Sequence, residues 1–322
     1  MKTHTAIAVA GAFIATASTV SANSIFEALV PDKPANGAFE DVVRPMTNTT
    51  LFDLALPTTN VRPIFIHHNL PDRVSVGPGG AATLPMGGDV QIYALQFEIA
   101  LSERLSIVAT KDGYVDINPG DTSIWSAQSG FANIGAGLKY AFIYDPANEF
   151  VLSGSATFEL PTGNDDVFQG QGDGVLNLIV SGLKIWDDFQ LASGAGLRLA
   201  MDDTQSTSSF VSGHASYKVH DWFIPLVELN WHHVLEPGNG TAAFNSQAGG
   251  AVPGAAAFEG SDLLNFGAQH AGSNRDLVTA AVGFRSQLTD SMEVGAAYEI
   301  PLTNEQDGII EDRFTLDLIY RF

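Results

Sequence analysis

A histidine and a serine in this chain are spaced as nucleophilic chemistry would require. In His214-Ala215-Ser216 the two polar side chains are two residues apart, so on a β-strand both would point to the same face. A histidine within reach of a serine hydroxyl can accept its proton and make the oxygen a nucleophile. The pair is therefore a candidate for hydrolytic chemistry, provided that a third group orients the histidine.

The spacing of His214 and Ser216 resembles the His-x-Ser arrangement of outer-membrane phospholipase A, a lipid-modifying enzyme. In the strand register predicted below, both side chains share a polar face with Ser212 and Lys218, and we expect this face to line an interior. A phospholipase needs its nucleophile on the lipid side, and no Asn or Asp is clearly placed to orient the histidine. We predict that the protein is not an enzyme and has no catalytic residue. A lipid-modifying enzyme stays the third hypothesis.

The remaining candidates for metal or cofactor chemistry are weak. His67-His68 and His232-His233 are adjacent pairs, and adjacent residues of a strand point to opposite faces, so neither pair can chelate one ion. The run from Asp116 to Asp121 has some oxygen ligands of a calcium loop but lacks its full spacing and its distal glutamate. This run is more typical of a turn-rich external loop. The sequence predicts no metal and no cofactor.

Charged side chains recur at the polar positions of alternating segments, where they would point into a lumen. Both signs of charge are present, so strong selection for anions or for cations is not predicted. Arg285 and Glu293 are expected to lie diagonally across a short turn, close enough to pair. A lattice of ion pairs that braces the barrel and a lining for a permeation path are equally compatible with this pattern. The predicted lumen-lining residues are Glu98, Lys139, Glu159, Arg198, Lys218, Glu228, Arg285, Glu293 and Glu299.

The element that positions such residues is clearest at the C-terminus. From Arg313 to Phe322, apolar residues occupy every even position, whereas polar residues occupy most of the odd ones. Alternation with period two indicates a strand with one apolar and one polar face. Its length matches the roughly 9–11 residues that a tilted strand needs to cross a bilayer. A chain that ends on Phe322 favours an outer-membrane barrel, and we expect the barrel-assembly machinery to recognise this residue.

The same alternation recurs upstream and predicts an all-β, transmembrane, antiparallel up-and-down barrel of about twelve strands over 61–322. Two segments are less regular, since 176–186 is apolar on both faces and 61–68 contains Pro63. Short connections alternate with long ones, of which 236–275 is the longest, as in outer-membrane barrels. A soluble β-sandwich or lipocalin-like barrel would place the apolar face inside. The alternating connections and the aromatic C-terminus favour the membrane barrel.

The N-terminus carries an export signal. Lys2 and His4 precede an apolar run of small residues, and Val20-Ser21-Ala22 offers small side chains to a signal peptidase. This pattern predicts a signal peptide over 1–22. Residues 23–60 hold several prolines and no sustained alternation. A periplasmic tail, a plug folded into the barrel and a partly disordered linker all stay open for this segment.

The composition excludes some classes of partner and some sources of stability. The chain has 322 residues, no cysteine and a formal net charge of −21. A strongly acidic chain is a poor partner for nucleic acid, because phosphate binding requires lysine and arginine. Without disulfides, an exported protein has to gain its stability from backbone pairing and packing.

Several short motifs carry a family resemblance. They are Gly130 to Phe142 (GFANIGAGLKYAF), Leu160 to Gly163 (LPTG), Pro225 to Asn230 (PLVELN), Phe258 to Gly260 (FEG), Val282 to Arg285 (VGFR) and Ala297 to Leu302 (AYEIPL). Together they resemble the outer-membrane barrels grouped under the MetA pathway of phenol degradation, over roughly residues 90–322. The resemblance implies an outer-membrane transporter or channel for small aromatic or hydrophobic molecules. It carries over no site residues.

The sequence thus predicts a transporter or channel for passive uptake of small molecules in the outer membrane of a Gram-negative bacterium. About twelve strands should leave a lumen between that of packed eight-stranded barrels and that of open porins with 16–18 strands. This size favours a narrow or gated path. The expected partners are outer-membrane lipids and a small solute that the sequence does not identify. The second hypothesis is a closed structural or adhesive barrel that acts through its acidic loops.

Overall fold

The computed structural model describes residues 37–76, 81–239, 243–253 and 275–322. The predicted signal peptide over 1–22, and residues 23–36, lie outside the described residues. Twelve antiparallel strands form the wall of a barrel. Strands β1 to β12 are Asn60–Asn69, Gly88–Ala100, Leu105–Lys111 with Tyr114–Pro119, Gln128–Phe131 with Ile134–Asp145, Phe150–Leu160, Val175–Trp186, Phe189–Ala200, Thr207–Tyr217, Ile224–Glu236, Asp276–Thr289, Met292–Pro301 and Asp312–Arg321.

The sheet closes on itself through its first strand. β1 pairs with β12 on one side and with β2 on the other, so this sheet has no free edge along the wall. β3 and β4 are each split into two segments, and both segments of β3 pair with β2. The break in β3 includes Gly113 at φ 128°, where a Cβ atom would lie 2.7 Å from the Tyr93 carbonyl oxygen. The predicted antiparallel barrel of about twelve strands is confirmed.

The two faces of the wall differ as the alternation predicts. Large apolar side chains point outward, and in the C-terminal strand Phe314 and Leu316 are exposed, whereas Arg313, Thr315 and Asp317 are buried inside. The outward-facing side chains form the surface that a bilayer would cover, because lipid-facing and interior residues alternate along a barrel strand. A soluble barrel with an apolar interior and a polar exterior is excluded by this arrangement.

Long and short connections lie at opposite ends of the barrel. The connections after β2, β4, β6, β8 and β10 are short, and both Asn60 and Arg321 lie at the same end as these turns. In outer-membrane barrels this is the periplasmic end. No helix among the described residues is long and apolar enough to span a bilayer. In the described parts of the chain the helices are the 3-10 turns Gly37–Phe39, Pro146–Asn148 and Asp165–Val167 and the short α-helix Glu305–Gly308.

The long connections contain further structure. Arg73–Val76 pairs with Ala82–Pro85, and Ala243–Asn245 pairs with Ala251–Pro253, so two of these loops contain small hairpins. The prediction that the run from Asp116 to Asp121 is an external loop is wrong for most of it. Tyr114–Pro119 extends β3 and pairs with the N-terminal half of β2, because long-range backbone pairing outweighs the turn preference of its polar residues.

Candidate functional site

The interior of the barrel is occupied by the chain preceding β1, residues 37–59, here called the lumen segment. From Val42 to Thr58 its residues are buried, with Asp53 partly so. Asp41 and Val42 contact the wall at the short-turn end, through Lys218 and Arg321. The segment therefore starts and finishes at the periplasmic end and makes a loop inside the wall.

Two charged residues of the lumen segment join two charged residues of the wall. Arg44 donates from Nη2 to Glu98 Oε2 at 2.9 Å and pairs with Asp53 of its own segment. Lys139 lies 2.7 Å from Asp53 Oδ2 and 2.8 Å from Glu98 Oε1, measured from Nζ. Thr58 also donates from its backbone nitrogen to Glu98 Oε1 at 3.2 Å. The four charges thus form a closed square that attaches the segment to β2 and β4.

A second charged group holds the backbone of the segment. Asp317 on β12 accepts from Arg62 on β1 and from both terminal nitrogens of Arg285 on β10, at 2.8 and 2.9 Å for Arg285. The same two arginines donate to carbonyl oxygens of the segment, Arg285 to Arg44 at 2.7 Å and Arg62 to Pro45 at 3.1 Å. These bonds to backbone oxygens depend on the path of the segment rather than on its side chains.

The expected pairing of Arg285 with Glu293 is wrong. Arg285 binds Asp317, whereas Glu293 pairs with Arg321 at the short-turn rim. Asp317 lies on β12, which is next to the hairpin partner of β10, so its carboxylate reaches the guanidinium across one intervening strand. The alternation placed Asp317 on the polar face, but a pattern within one strand does not identify which neighbour its carboxylate meets.

Glu228 on β9 binds the turn of the lumen segment and a wall histidine at once. It accepts from the backbone nitrogens of Met46 and Thr47 at 2.8 and 2.7 Å, and from the Thr47 hydroxyl. Its cross-strand neighbour His214 lies 2.7 Å away through Nδ1, and His214 Nε2 lies 3.0 Å from Ser216 Oγ. Serine, histidine and carboxylate therefore stand in the order of a hydrolytic triad.

This triad faces the lumen segment and not the lipid. His214 and Ser216 are 2% and 3% exposed, and both lie on the inner face of β8. The orienting group that the sequence did not reveal is Glu228, on the adjacent strand. A lipid substrate has no approach to this serine through the wall, so the arrangement supports anchoring of the segment and does not fulfil the access that a phospholipase requires.

Two further charged groups lie on the wall away from the segment's charges. Glu159 pairs with Lys111 at 2.6 Å, lies 3.6 Å from Arg198 and accepts from Asn133 at 2.8 Å. On the other side of the barrel, Glu299 pairs with Arg313 at 3.4 Å and accepts from the Thr279 hydroxyl. Each of the two carboxylates faces at least one cation, since burial of an ionised side chain requires an opposite charge nearby.

At the short-turn rim the segment is held by partly exposed charges. Lys218 lies directly after β8, 2.7 Å from Asp41 of the segment and 2.9 Å from Asp221. Desolvation acts to lower the pKa of Lys218, but hydrogen bonds and attraction to the two carboxylates raise it above its usual value. Lys218 is therefore a cation throughout the physiological range, and its contact with Asp41 stays an ion pair.

The apolar side of the lumen segment packs against the opposite part of the wall. Phe52, Leu54 and Leu56 join one core cluster with Leu183 and Ile185 of β6. This contact explains why β6 is apolar on both faces: one face meets lipid and the other meets the segment. Gly194 on β7 leaves room for the ring of Phe52, since a Cβ atom there would lie 2.9 Å from Phe52 Cδ2.

The loop end of the interior is apolar and closed by loops. Inward side chains of β1, β2 and β3 form one cluster with residues from the long connections. Trp125 and Phe168 pack there with ring centroids 5.4 Å apart. This apolar cluster lies at the loop end of the interior, whereas the lumen segment enters from the short-turn end. The wall members of this cluster are Ile64, Ile66, Val90, Ile92, Val115 and Ile117.

The nine residues predicted for the lumen fall into these groups. Five of them touch the lumen segment, three make ion pairs within the wall or rim, and Arg198 lies beside one of those pairs. The interior charges that the predicted set of nine does not include are Arg44 and Asp53 of the segment and Arg62, Lys111, Arg313 and Asp317 of the wall. The five predicted residues that touch the lumen segment are Glu98, Lys139, Lys218, Glu228 and Arg285. The three in ion pairs of the wall or rim are Glu159, Glu293 and Glu299.

The histidine pairs have separate surroundings, as expected for adjacent strand residues. His68 faces inward, with Nε2 2.7 Å from the Ile309 carbonyl oxygen, whereas His67 is outside near Asp89. His232 is buried beside Phe210. Among the described residues, no group of three histidine or acidic side chains is placed to hold a metal ion.

Solved structures with this architecture are membrane barrels. The COG4313 outer membrane channel from Pseudomonas putida F1 aligns with a TM-score of 0.56 at 14% identity, over 83% of this chain and 96% of that chain. The fold is that of an outer-membrane β-barrel. The autotransporter NalP translocator domain from Neisseria meningitidis aligns at 12% identity with a TM-score of 0.45, over 82% of this chain and 88% of that one.

A further solved structure, the KdgM porin in complex with disordered oligogalacturonate, aligns at 9% identity with a TM-score of 0.43, over 81% of this chain and 99% of that chain. No family model matches the sequence, and no curated protein does. The resemblance to the MetA-pathway family is therefore not confirmed, whereas the outer-membrane location and the barrel fold stand on the architecture.

Proposed function

We propose that the protein is a gated outer-membrane channel for passive uptake of small molecules, with the lumen segment as its gate. The observation that carries the proposal is the chemistry of the contact between segment and wall. Glu98, Lys139, Glu228 and Arg285 bind the segment through hydrogen bonds and ion pairs. Water can replace such partners when the segment moves, which is not true of a purely apolar core.

The charged residues of the wall keep ion-pair partners of their own after the segment leaves. Lys139 and Glu98 are already paired with each other at 2.8 Å, and Arg285 keeps Asp317. Movement of the segment would therefore expose a path lined by compensated charges of both signs. Such a lining excludes neither anions nor cations strongly, as a path for small neutral or weakly charged solutes requires.

The solute class is proposed from the loop end of the interior. The inward residues Ile64, Ile66, Val90 and Ile92 give an apolar surface at the side from which a solute would enter. An apolar entrance above a polar gate suits small aromatic or otherwise hydrophobic molecules, because it can remove their surface from water before passage. The channel description of the barrel from Pseudomonas putida F1 is compatible with this role.

The second candidate is a closed structural or adhesive barrel. The filled interior favours a closed barrel, because the lumen segment occupies one part of it and an apolar cluster occupies the loop end. The two candidates differ in whether the segment can leave its place in the folded protein. A structural barrel would hold the segment permanently, whereas a channel must release it.

Single-channel recordings in planar bilayers test the proposal. The mature wild-type chain should be closed for most of the time, with brief openings. The double variant Arg44→Met with Asp53→Asn removes the two charges that the segment carries inside the barrel and leaves the wall pair of Lys139 and Glu98 complete. We expect its open probability to rise at least tenfold.

A matched control is Lys111→Met with Glu159→Gln, which removes one ion pair of the wall away from the segment's charges. Its open probability should stay close to that of the wild type. If both double variants are folded and inserted, and neither conducts, the channel proposal fails and the closed barrel replaces it. Liposome swelling with a small aromatic solute and with a sugar of similar mass then separates the solute classes for a conducting variant.

A further inference from the structure

A groove of about 750 Å³ runs along the outer surface of the barrel wall from β5 to β10. Most of its lining lies on the face that the bilayer covers, although the lining also includes His214 and Glu228, whose side chains face the lumen. Large apolar side chains border it. These are Phe150, Trp186, Leu191, Val227, Leu229 and Val282.

The groove exists because three outward residues in one register row are small. Gly182 on β6 pairs with Ser193 on β7, and Ser193 pairs with Gly213 on β8. A Cβ atom built on Gly213 would have no other atom within 4 Å, so the space above this residue is open. In the next outward row, farther from the short turns, Val180 and Val211 stand on either side of Ala195, so two of these three positions carry larger side chains. The floor of the groove is thus a local gap in an otherwise apolar surface.

One positive charge lies at the edge of this gap. Lys184 is two residues from Gly182 on the same outward face of β6 and belongs to the lining of the groove. Its ammonium lies 5.0 Å from the centroid of the Trp186 ring. It donates to the carbonyl oxygens of Asn148 and Ile185, at 2.5 and 2.6 Å. Both acceptors are neutral, and the ammonium also attracts the carboxylate of Asp145 at the adjoining turn. Because an ammonium has three donors, these two carbonyl oxygens leave one donor for a further acceptor.

The position of Lys184 sets it apart from the other cations of the wall. Arg62, Lys139, Arg198 and Arg285 are buried inside the barrel, against carboxylates. A lysine on the lipid side extends its ammonium toward the membrane surface and leaves its stem in the apolar layer. Gly182 lies four residues before the end of β6, which is roughly 13 Å along the strand. The groove therefore begins at the periplasmic interface and continues into the bilayer.

We propose that this groove is a binding site for one glycerophospholipid of the periplasmic leaflet. An acyl chain lies over Gly182, Ser193 and Gly213, and the phosphate accepts from Lys184. The chain gains contact with the apolar border, and the anionic headgroup compensates the lysine. The ring of Trp186 lies beside this position, at the interfacial depth that suits an aromatic side chain.

A lipid suits the groove better than a second copy of this chain. A symmetric dimer would bring the same patch of both copies together. Two Lys184 side chains would then share one interface, in which the outward-facing lining residues include no carboxylate. A phosphate supplies the opposite charge at the edge, and a flexible chain adapts to the narrow floor.

Native mass spectrometry of the refolded mature protein tests the proposal, with phosphatidylglycerol as the probe. The wild type should retain one lipid at concentrations where Gly213→Phe retains at least tenfold less. A Cβ atom at position 213 meets no other atom within 4 Å, and the ring of Gly213→Phe would extend outward into the groove, so folding should be preserved. Lys184→Gln should weaken retention of phosphatidylglycerol severalfold and leave retention of a diacylglycerol with the same chains unchanged. Val180→Phe adds bulk to the same strand outside the lining and should bind as the wild type does.

A second measurement does not depend on those variants. Brominated phosphatidylglycerol in vesicles should quench tryptophan fluorescence in a saturable manner at low mole fraction, and Trp186→Phe should lose that component. Retention that is equal in wild type and Gly213→Phe would overturn the proposal. So would equal retention of phosphatidylglycerol and diacylglycerol by the wild type, or a protein that is dimeric and free of lipid.

Discussion

Glu228 accepts three hydrogen bonds from the lumen segment, more than its neighbours on β9 make. One carboxylate accepts from Met46, from Thr47 twice and from His214, so it joins the turn of the lumen segment to β8 and β9. Hydrogen bonds to an ionised group contribute roughly 1.5–3 kcal/mol each when they are formed in a protein interior. The charge of this residue is therefore a main determinant of how firmly the segment is held.

Glu228→Gln should release the lumen segment more often. The amide keeps the size of the side chain but loses the charge that two backbone nitrogens and a hydroxyl bind. The chain has no cysteine, so Thr49→Cys gives one thiol, on a buried residue of the segment. A thiol reagent should modify this cysteine at least tenfold faster in the Glu228→Gln background, because each 1.4 kcal/mol corresponds to a factor of ten.

Glu159→Gln is the control for this experiment, since its partners Lys111 and Asn133 belong to the wall and not to the segment. Its labelling rate should match that of Thr49→Cys alone. Equal rates in all three proteins would mean that Glu228 does not hold the segment.

Ser216 should be unreactive in the folded wild type. Although His214 is within 3.0 Å of its hydroxyl, the serine is 3% exposed and faces the lumen segment. A nucleophile needs a substrate within reach as well as a base. A fluorophosphonate probe should label the wild type and Ser216→Ala to the same low extent. Labelling that maps to Ser216 and disappears in Ser216→Ala would restore the hydrolase hypothesis.

Among the elements, β7 shows how the wall is shaped to accept the segment. The inward face of this strand carries Gly194 where Phe52 approaches, and the next residue, Ala195, faces the lipid. Gly194→Val should push Phe52 from its place, because overpacking of a filled interior costs roughly 1–3 kcal/mol. We expect faster labelling of Thr49→Cys by about fivefold or more, with the barrel still folded in gel-mobility assays.

The control is Ala195→Val on the neighbouring residue, which also enlarges a side chain but directs the added volume toward the lipid. It should leave the labelling rate unchanged. If Gly194→Val instead prevents folding of the barrel, the segment and the wall would be one cooperative unit, and the gate would not be separable from the scaffold.

The elements also show where sequence reasoning succeeds and where it stops. The position of the C-terminal strand and the direction of its side chains were predictable, because alternation within ten residues shows which face is apolar. The inward face of β6 was not, since Leu183 and Ile185 pack against a segment more than a hundred residues earlier in the chain. Tyr114–Pro119 has the composition of a turn and became a strand because β2 offers it a pairing edge.

The charges around the lumen segment were partly predictable for the same reason. Glu98, Lys139 and Glu228 stand at polar positions of regular strands, so their inward direction follows from the alternation. Arg44 and Asp53 lie in a segment without period, and no local pattern indicates that they meet those wall residues. The partners of a buried charge are a property of the closed barrel, not of one strand.

At the scale of the whole molecule, two parts differ in how they are held. The wall is a closed sheet in which adjacent strands are joined by backbone hydrogen bonds, with β1 paired on both sides. The lumen segment is attached mainly by side chains such as Arg44, Glu228 and Arg285 and by apolar contacts. Regions that lack cooperative backbone pairing open at lower free energy than the core of a sheet.

Urea should therefore displace the segment before it unfolds the wall. In planar bilayers, we expect wild-type conductance to appear at a urea concentration well below the one that unfolds the barrel, and to disappear when urea is removed. The double variant Arg44→Met with Asp53→Asn should need less urea than the wild type, because its segment has lost both of its interior charges. Circular dichroism of the same samples should retain the β-sheet signal while current flows. Conductance that appears only together with loss of this signal would mean that segment and wall unfold as one unit, and passage through a gated lumen would then have no physical basis.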